Sequence, residues 1–148
     1  MTERTNTPAA CYRKLRKYKY QLMEKYHIKV ETGLVEEEVT TDFLHITPTG
    51  DLTIHKAYSW DGPSGPTIDT QSFMRGSLVH DALYQLMRLG HMAYTDHREY
   101  ADDLLKEMCL KDGMWPFRAW YVHLGVRMFG EKHARPRKEV QNERLYAP

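Results

Sequence analysis

The stretch that most constrains this chain is a loop rich in glycine and proline that leads into an amphipathic helix. Residues 60–84 read WDGPSGPTIDTQSFMRGSLVHDALY. Two prolines and two glycines within residues 61–66 predict a loop, because neither residue suits the interior of a strand or helix. From about residue 71 apolar residues recur with helical spacing, so we predict a helix that Gly90 ends.

This helix has a mixed face that carries candidate functional groups. His80 and Tyr84 are four residues apart, so they stack on one side, at the border between the apolar arc and the polar strip. A histidine at such a border is half shielded, and its surroundings can shift its pKa without closing off access. Asp81 points about 100° away from His80 around the helix, toward a different partner.

The first half of the chain is predicted to form strands. Alternating side chains and β-forming residues at 18–30 and 43–58 indicate strands, and residues 48–51 are typical of a hairpin turn. His45 and His55 flank this hairpin, and we interpret them as solvent-facing or hydrogen-bonded rather than as metal ligands.

Two charged segments lie beside the predicted strands. Residues 10–26 carry six basic residues interleaved with tyrosines, and we interpret them as a solvated face in preference to a phosphate or nucleic-acid patch. Three successive glutamates at 36–38 indicate an exposed loop.

A second helix is predicted to begin with a capping box at residues 96–99 and to end near residue 111. Its two adjacent acids do not share an environment. Asp103 falls on the solvated side, whereas Asp102 falls at the edge of the buried face. If one of them has an inward role, it is Asp102.

Pro116 suits the first position of a third helix, which Gly130 closes. Gly125 would let a neighbouring element approach closely. The apolar stripe of this helix is expected to pack in the core, and it consists of Phe117, Trp120, Tyr121, Leu124 and Met128.

Length and composition favour one domain. A chain of 148 residues buries a sizeable core without disulfide bonds or structural metals, and its net charge of +1 gives no general attraction to nucleic acid or membranes.

Two cysteines, Cys11 and Cys109, suit a reducing compartment or a virion assembled in one. With no apolar run of about 18 residues and no apolar N-terminal stretch, neither a membrane span nor a Sec signal peptide is expected.

The predicted architecture is α+β, a small antiparallel sheet in the N-terminal half followed by three helices. Residues 1–130 form the single domain in this prediction. Residues 131–148 show no apolar periodicity and are predicted to be an extended tail.

These elements combine into a candidate hydrolytic site. Two helices joined by a short connection pack antiparallel, so Asp102 is expected beside His80. A carboxylate that accepts a hydrogen bond from one imidazole nitrogen fixes the tautomer and leaves the other nitrogen to take a proton from water.

A calcium site is predicted next to this pair. Asp81 is expected to face the loop at 61–66, and a carboxylate with backbone carbonyls is an oxygen-ligand set that suits calcium. Such an ion would polarise a carbonyl and stabilise the oxyanion that forms during attack. The predicted ligands are Asp61, Gly62, Ser64 and Asp81.

Four motifs carry a resemblance to a known family: WDGPSGPTID, GSLVHDALYQLMR, Ala101-Asp102 followed by Leu105, and VRMFG. On these motifs, from residue 60 to about residue 130, the chain resembles a family of small proteins of unassigned function found in bacterial and phage genomes. The resemblance covers roughly half the chain. It implies a phage or prophage origin and assigns no chemistry.

The Gly-rich loop, the HDxxY helix and the later helix with an aspartate are also similar, more distantly, to the small bacterial and fungal phospholipases A2. That resemblance implies His80 as general base, Asp81 as calcium ligand, Asp102 as orienting carboxylate and Tyr84 as a supporting phenol. Those enzymes are secreted and disulfide-bonded, whereas this chain has no expected leader and no cysteines paired in the expected places.

Three functional hypotheses follow. The first is a phage-encoded, calcium-dependent hydrolase of lipid or related esters. The second is a non-enzymatic virion component of the tail or head–tail region, which binds neighbouring subunits through residues 1–20 and 131–148. The third, a divalent-metal phosphohydrolase that uses His80, Asp81 and His97, fits poorly with a strand-rich first half. We expect the host cytoplasm or the virion as location, and no nucleic-acid partner.

Overall fold

A computed structural model describes residues 9–16, 19–61 and 71–136. Three segments singled out from the sequence lie partly outside these ranges. They are the N-terminal segment at its residues 1–8 and 17–18, the loop at 61–66 beyond its first residue, and the last twelve residues of the predicted tail.

The described N-terminal residues form two small antiparallel sheets rather than one. The first sheet has the order β1-β2-β7 and the second has the order β3-β6-β5-β4. The strands are β1 (Tyr12–Arg16), β2 (Lys19–Leu22), β3 (Tyr26–Lys29), β4 (Val39–Thr40), β5 (Leu44–Ile46), β6 (Asp51–Ile54) and β7 (Ser59–Asp61).

The predicted hairpin is confirmed as the β5–β6 pair. Its register places Ile46 opposite Leu52, and both side chains are fully buried. Gly50 has a φ of 94° at the turn, a conformation that favours glycine, and a Cβ there would collide with the carbonyl oxygen of Val30. The glutamates at 36–38 are exposed, as predicted.

The described C-terminal residues form four helices, one more than predicted. They are α1 (Gln71–Arg88), α2 (Tyr94–Lys111), α3 (Pro116–Phe129) and the short α4 (Glu131–Ala134). The α+β class and the order of sheets before helices are as predicted. The fourth helix forms inside the predicted tail because Ala134 is fully buried in the main core. Packing onto the domain therefore continues past residue 130.

Glycine ends both long helices by the same hydrogen-bonding pattern. Gly90 has a φ of 81°, and the N–H of His91 donates to the carbonyl of Leu86 at 2.9 Å. Gly113 has a φ of 94°, and the N–H of Met114 donates to the carbonyl of Cys109 at 2.9 Å. This is the Schellman arrangement, which satisfies carbonyls that a helix end leaves open.

The predicted capping box at residues 96–99 is wrong. α2 begins at Tyr94, and Ala93 occupies the N-cap position with no side-chain cap. Because the helix begins two residues early, Asp96 lies inside the first turn, where its charge complements the N-terminal end of the helix dipole.

The prediction that the aromatic stripe of α3 packs in the core is also wrong. α3 packs through small and medium residues, with Ala119 fully buried and Val122 and Val126 packed beside it. The stripe lies on the opposite side of the helix and is exposed. Gly125 makes no close approach either, since a Cβ there would meet nothing within 4 Å.

Buried contacts of α1 hold the helices against the sheets. Trp60 of β7 is buried, and its indole N–H donates to Ser77 Oγ at 3.1 Å. The Trp60 ring also packs against Tyr12 and Tyr20 of the first sheet. In the parts of the chain that are described, no helix has the length and apolarity to cross a bilayer.

Candidate functional site

The site forms where α1 packs against α2. Near the start of α1, Gly76 lies so close to Leu105 that a Cβ would stand 3.0 Å from the Leu105 side chain. Further along α1, His80 and Tyr84 meet Asp102, which precedes Leu105 on α2. Residues later in α1 contact residues earlier in α2, so the two helices run antiparallel. The expected proximity of His80 and Asp102 is therefore found.

The carboxylate of Asp102 accepts two hydrogen bonds on one oxygen. Oδ1 lies 2.8 Å from His80 Nε2 and 2.6 Å from the hydroxyl of Tyr84. Asp102 is fully buried, and the His80 side chain is only 9% exposed. The prediction that His80 is half shielded is therefore wrong, because the packing of α1 against α2 buries the ring. Since this oxygen is an acceptor for both groups, we assign the imidazole proton to Nε2, which leaves Nδ1 with a free lone pair.

Tyr84 donates a hydrogen bond to Asp102 and also packs its ring against His80. Its ring packs on the imidazole of His80 with centroids 4.1 Å apart, so the phenol fixes both the carboxylate and the plane of the base. Burial and the nearby Asp102 carboxylate raise the pKa of Tyr84 well above its usual 10.0. Tyr84 therefore remains a neutral donor at physiological pH.

The second oxygen of Asp102 faces two arginines. Oδ2 is buried without a hydrogen bond, and Arg127 Nε lies 3.8 Å away and Arg98 Nη1 4.0 Å away. Both guanidinium groups therefore lie at ion-pair distance from this oxygen. Arg98 also donates to the carbonyl oxygen of Arg127 at 3.1 Å, which ties α2 to α3 beside the site.

Sequence reasoning missed these arginines and one glycine. Arg98 precedes Asp102 by one helical turn, a spacing that brings opposite charges together, so this signal was present. Arg127 and Gly130 both belong to the VRMFG motif. A Cβ on Gly130 would stand 2.6 Å from the Tyr84 hydroxyl, so this glycine leaves room for the phenol at the site.

His80 has a raised pKa. Burial of the ring lowers the pKa of His80, but the hydrogen bond with Asp102 and the carboxylate of Asp81 outweigh burial and hold it above the usual 6.5. The Asp81 Oδ1 atom lies 4.0 Å from Nδ1 of His80. The histidine is therefore held between two carboxylates, one on each nitrogen.

The predicted calcium ligands can be compared with the structure only at Asp81. Its side chain is 35% exposed, which suits a carboxylate that offers an oxygen to an ion. Gly62 and Ser64 lie outside the described residues, as does the side chain of Asp61. Within the described ranges, no three His, Cys, Asp or Glu side chains gather as a metal site.

Other histidines pair with carboxylates at the surface. His123 Nε2 lies 2.7 Å from Asp103 Oδ1, and His45 contacts Glu38. The carboxylates in these pairs are more than half exposed, unlike Asp102. The burial of its carboxylate distinguishes the His80 pair from the pairs of His123 and His45.

Both cysteines are free thiols. Cys11 is exposed and Cys109 is buried between α1 and α2. Burial raises the pKa of the Cys109 thiol to about 12, so it is protonated at neutral pH and packs as an apolar side chain.

Comparison of the chain with protein-family models, with curated proteins and with solved structures gave no match.

Proposed function

We propose that this chain is a phage-encoded hydrolase of carboxylic esters of the phospholipid class, in which His80 is the general base. The observation that carries the proposal is the double acceptor role of Asp102 Oδ1, which binds His80 Nε2 and the Tyr84 hydroxyl. The resemblance of the HDxxY helix to small phospholipases A2 supplies the substrate class.

Asp102 and Tyr84 prepare the base. The buried carboxylate holds the proton on Nε2 and stabilises the imidazolium that forms when Nδ1 accepts a second proton. Tyr84 keeps the carboxylate oxygen and the ring in place. Arg98 and Arg127 lie at ion-pair distance from the second oxygen of Asp102.

In the proposed reaction Nδ1 of His80 takes a proton from water while the water oxygen bonds to the ester carbonyl carbon. The tetrahedral intermediate then collapses, and the bond from carbon to the alcohol oxygen breaks. His80 returns its proton to that oxygen, so a fatty acid and an alcohol leave and the imidazole is neutral again.

Asp81 and the loop residues Asp61, Gly62 and Ser64 would hold calcium in this proposal. The ion would supply charge stabilisation at the carbonyl oxygen of the substrate. Asp81 has the exposure that this role needs, and its position beside Nδ1 places the ion-binding and base functions next to each other.

The test is hydrolysis of mixed phospholipid vesicles by the purified protein, with calcium and with a chelator. We expect His80→Gln to lose about 100-fold or more of the turnover, the usual contribution of a positioned general base. Turnover of the wild type should rise as the pH rises through the raised pKa of His80, because only the neutral ring is a base.

A matched control is His123→Gln, which removes the histidine from a surface pair with Asp103. It should leave turnover unchanged. Calorimetry with calcium on the wild type and on Asp81→Asn tests the metal separately, and binding should be lost in the variant. A folded wild type without turnover on phospholipids or simple esters would overturn the enzymatic proposal.

The second candidate is a structural component of a phage particle. The exposed aromatic stripe of α3 favours it, because large apolar surfaces on a folded chain mark sites of association. In this case the chain should co-purify with particles, and mass spectrometry of purified virions should detect it. Its absence from them would exclude this role.

A further inference from the structure

α3 presents a continuous apolar surface away from the core. Five of its large side chains are exposed, from 39% at Leu124 to 76% at Phe117, and Trp115 just before the helix is 81% exposed. We call this surface the α3 face. It comprises Phe117, Trp120, Tyr121, Leu124 and Met128.

The spacing of the α3 face is that of a helix–helix contact. Phe117, Tyr121, Leu124 and Met128 follow one another at intervals of four, three and four residues. This is the alternation of a and d positions in a heptad, which aligns side chains along the seam between two packed helices. Buried Ala119 lies on the opposite side of α3, so the seam points away from the core.

We propose that the α3 face binds the α3 face of a second copy of this chain, with the two helices antiparallel about a twofold axis. The axis lies between Tyr121 and Leu124, so Phe117 packs against Met128 of the other copy and Tyr121 against Leu124. Each of these contacts then joins one aromatic ring to one aliphatic side chain. This self-complementarity is what a symmetric dimer interface requires.

Charge also favours a second copy. No residue of the α3 face is charged, so bringing two copies together places no like charges in the interface. The nearest basic group on one flank, Arg127, already pairs with Glu99 and Asp103 at 3.1 Å each. Charged residues are depleted at the core of protein interfaces for the same reason.

The area is sufficient for a stable dimer. With about 200 Å² for each large side chain, the exposed fractions of the α3 face correspond to roughly 570 Å² per copy. A standard interface takes about 800 Å² from each partner. The α3 face therefore supplies most of an ordinary interface before any neighbouring residue contributes.

The experiment measures the mass of the full-length protein in solution by sedimentation equilibrium. We expect twice the mass of one chain for the wild type and the mass of one chain for Leu124→Glu, because the substitution buries a carboxylate against the Tyr121 ring. The matched control is Leu110→Glu on α2. Leu110 has the same 39% exposure but lies off the α3 face, so this variant should remain a dimer.

A second pair of variants tests the antiparallel register. Tyr121→Lys should also be a monomer alone, but an equal mixture with Leu124→Glu should give a dimer, since the lysine of one copy faces the glutamate of the other. A mixture that stays monomeric overturns the antiparallel register.

A wild type that stays monomeric overturns the proposal. Binding of that monomer to phosphatidylcholine vesicles, lost in Leu124→Glu and kept in Leu110→Glu, would assign the α3 face to a lipid surface instead.

Discussion

At the scale of single residues, the His80 ring lies between two carboxylates of different accessibility. Asp102 is fully buried and bonded to Nε2, whereas Asp81 is partly exposed and lies 4.0 Å from Nδ1. The buried carboxylate orients the ring, and the partly exposed one adds negative charge beside Nδ1. Because both stabilise the imidazolium form, protonation of His80 strengthens the fold while it removes the base.

The pH dependence of stability follows from this. The pKa of His80 is raised on folding, so its contribution to stability is fully present below the unfolded pKa and is lost as the pH rises through the folded pKa. We expect the difference in unfolding free energy between the wild type and His80→Gln to be largest below about pH 6.5 and to shrink above it. Urea unfolding across a pH series measures this.

Activity should have the opposite pH trend, since turnover needs the neutral ring. A stability difference that grows with rising pH would mean that folding lowers the pKa of His80, contrary to the two-carboxylate arrangement. NMR titration of the His80 ring gives an independent reading of the same pKa.

At the scale of elements, α3 has two faces with separate roles. One face packs Ala119, Val122 and Val126 onto the domain, and its C-terminal residues Arg127 and Gly130 reach the site. The other is the exposed α3 face. A single helix thus links the candidate site to the proposed dimer interface.

Two glycines of α3 should respond in opposite ways to alanine. Gly125 has open space around a Cβ, so Gly125→Ala should stabilise the fold by about 0.5–1 kcal/mol through helix propensity. Gly130→Ala should destabilise it by about 1–3 kcal/mol, because the new Cβ overlaps the carbonyl oxygen of Val126 and the Tyr84 hydroxyl. Thermal or urea unfolding measures both, in the Leu124→Glu background so that association does not contribute.

Gly130→Ala should also reduce turnover, since it displaces the phenol from Asp102. If the two variants shifted stability in the same direction, the tight packing around Gly130 would be refuted.

At the scale of the whole molecule, a few polar contacts tie the sheets to the helices. Trp60 of β7 donates to Ser77 of α1, and the N–H of Glu31 donates to the Tyr100 hydroxyl of α2 at 3.0 Å. Arg75 of α1 binds Asp112 at the end of α2, with Nε 2.9 Å from Oδ2. The first two contacts hold α1 and α2 against the sheet half of the molecule, and the third ties the two helices to each other. The site depends on that placement.

The buried contact between Trp60 and Ser77 should matter for stability. Ser77→Ala leaves the indole N–H without its acceptor in the core, and we expect a loss of about 1–3 kcal/mol in unfolding free energy. Ser59→Ala, at an exposed position of β7 itself, is the control and should change stability by less than about 0.5 kcal/mol. Equal losses in both would argue against a role for the hydrogen bond.

Much of this organisation was determined by the sequence. Local signals predicted the α+β order, the hairpin and the glycines that end the helices, because backbone conformation at a turn or helix end depends on neighbouring residues. Helical periodicity also placed Asp102 on the buried edge of α2, beside His80. These features need only short-range geometry.

Only the tertiary structure decided which apolar face of α3 is buried and which arginines surround Asp102. Periodicity identifies an apolar stripe but not its partner, and here α1 and α2 accept the small residues around Ala119 while the aromatics stay outside. In the same way, Arg127 reaches Asp102 because α3 returns to α2. Such contacts depend on how elements pack across the chain, which no local pattern records.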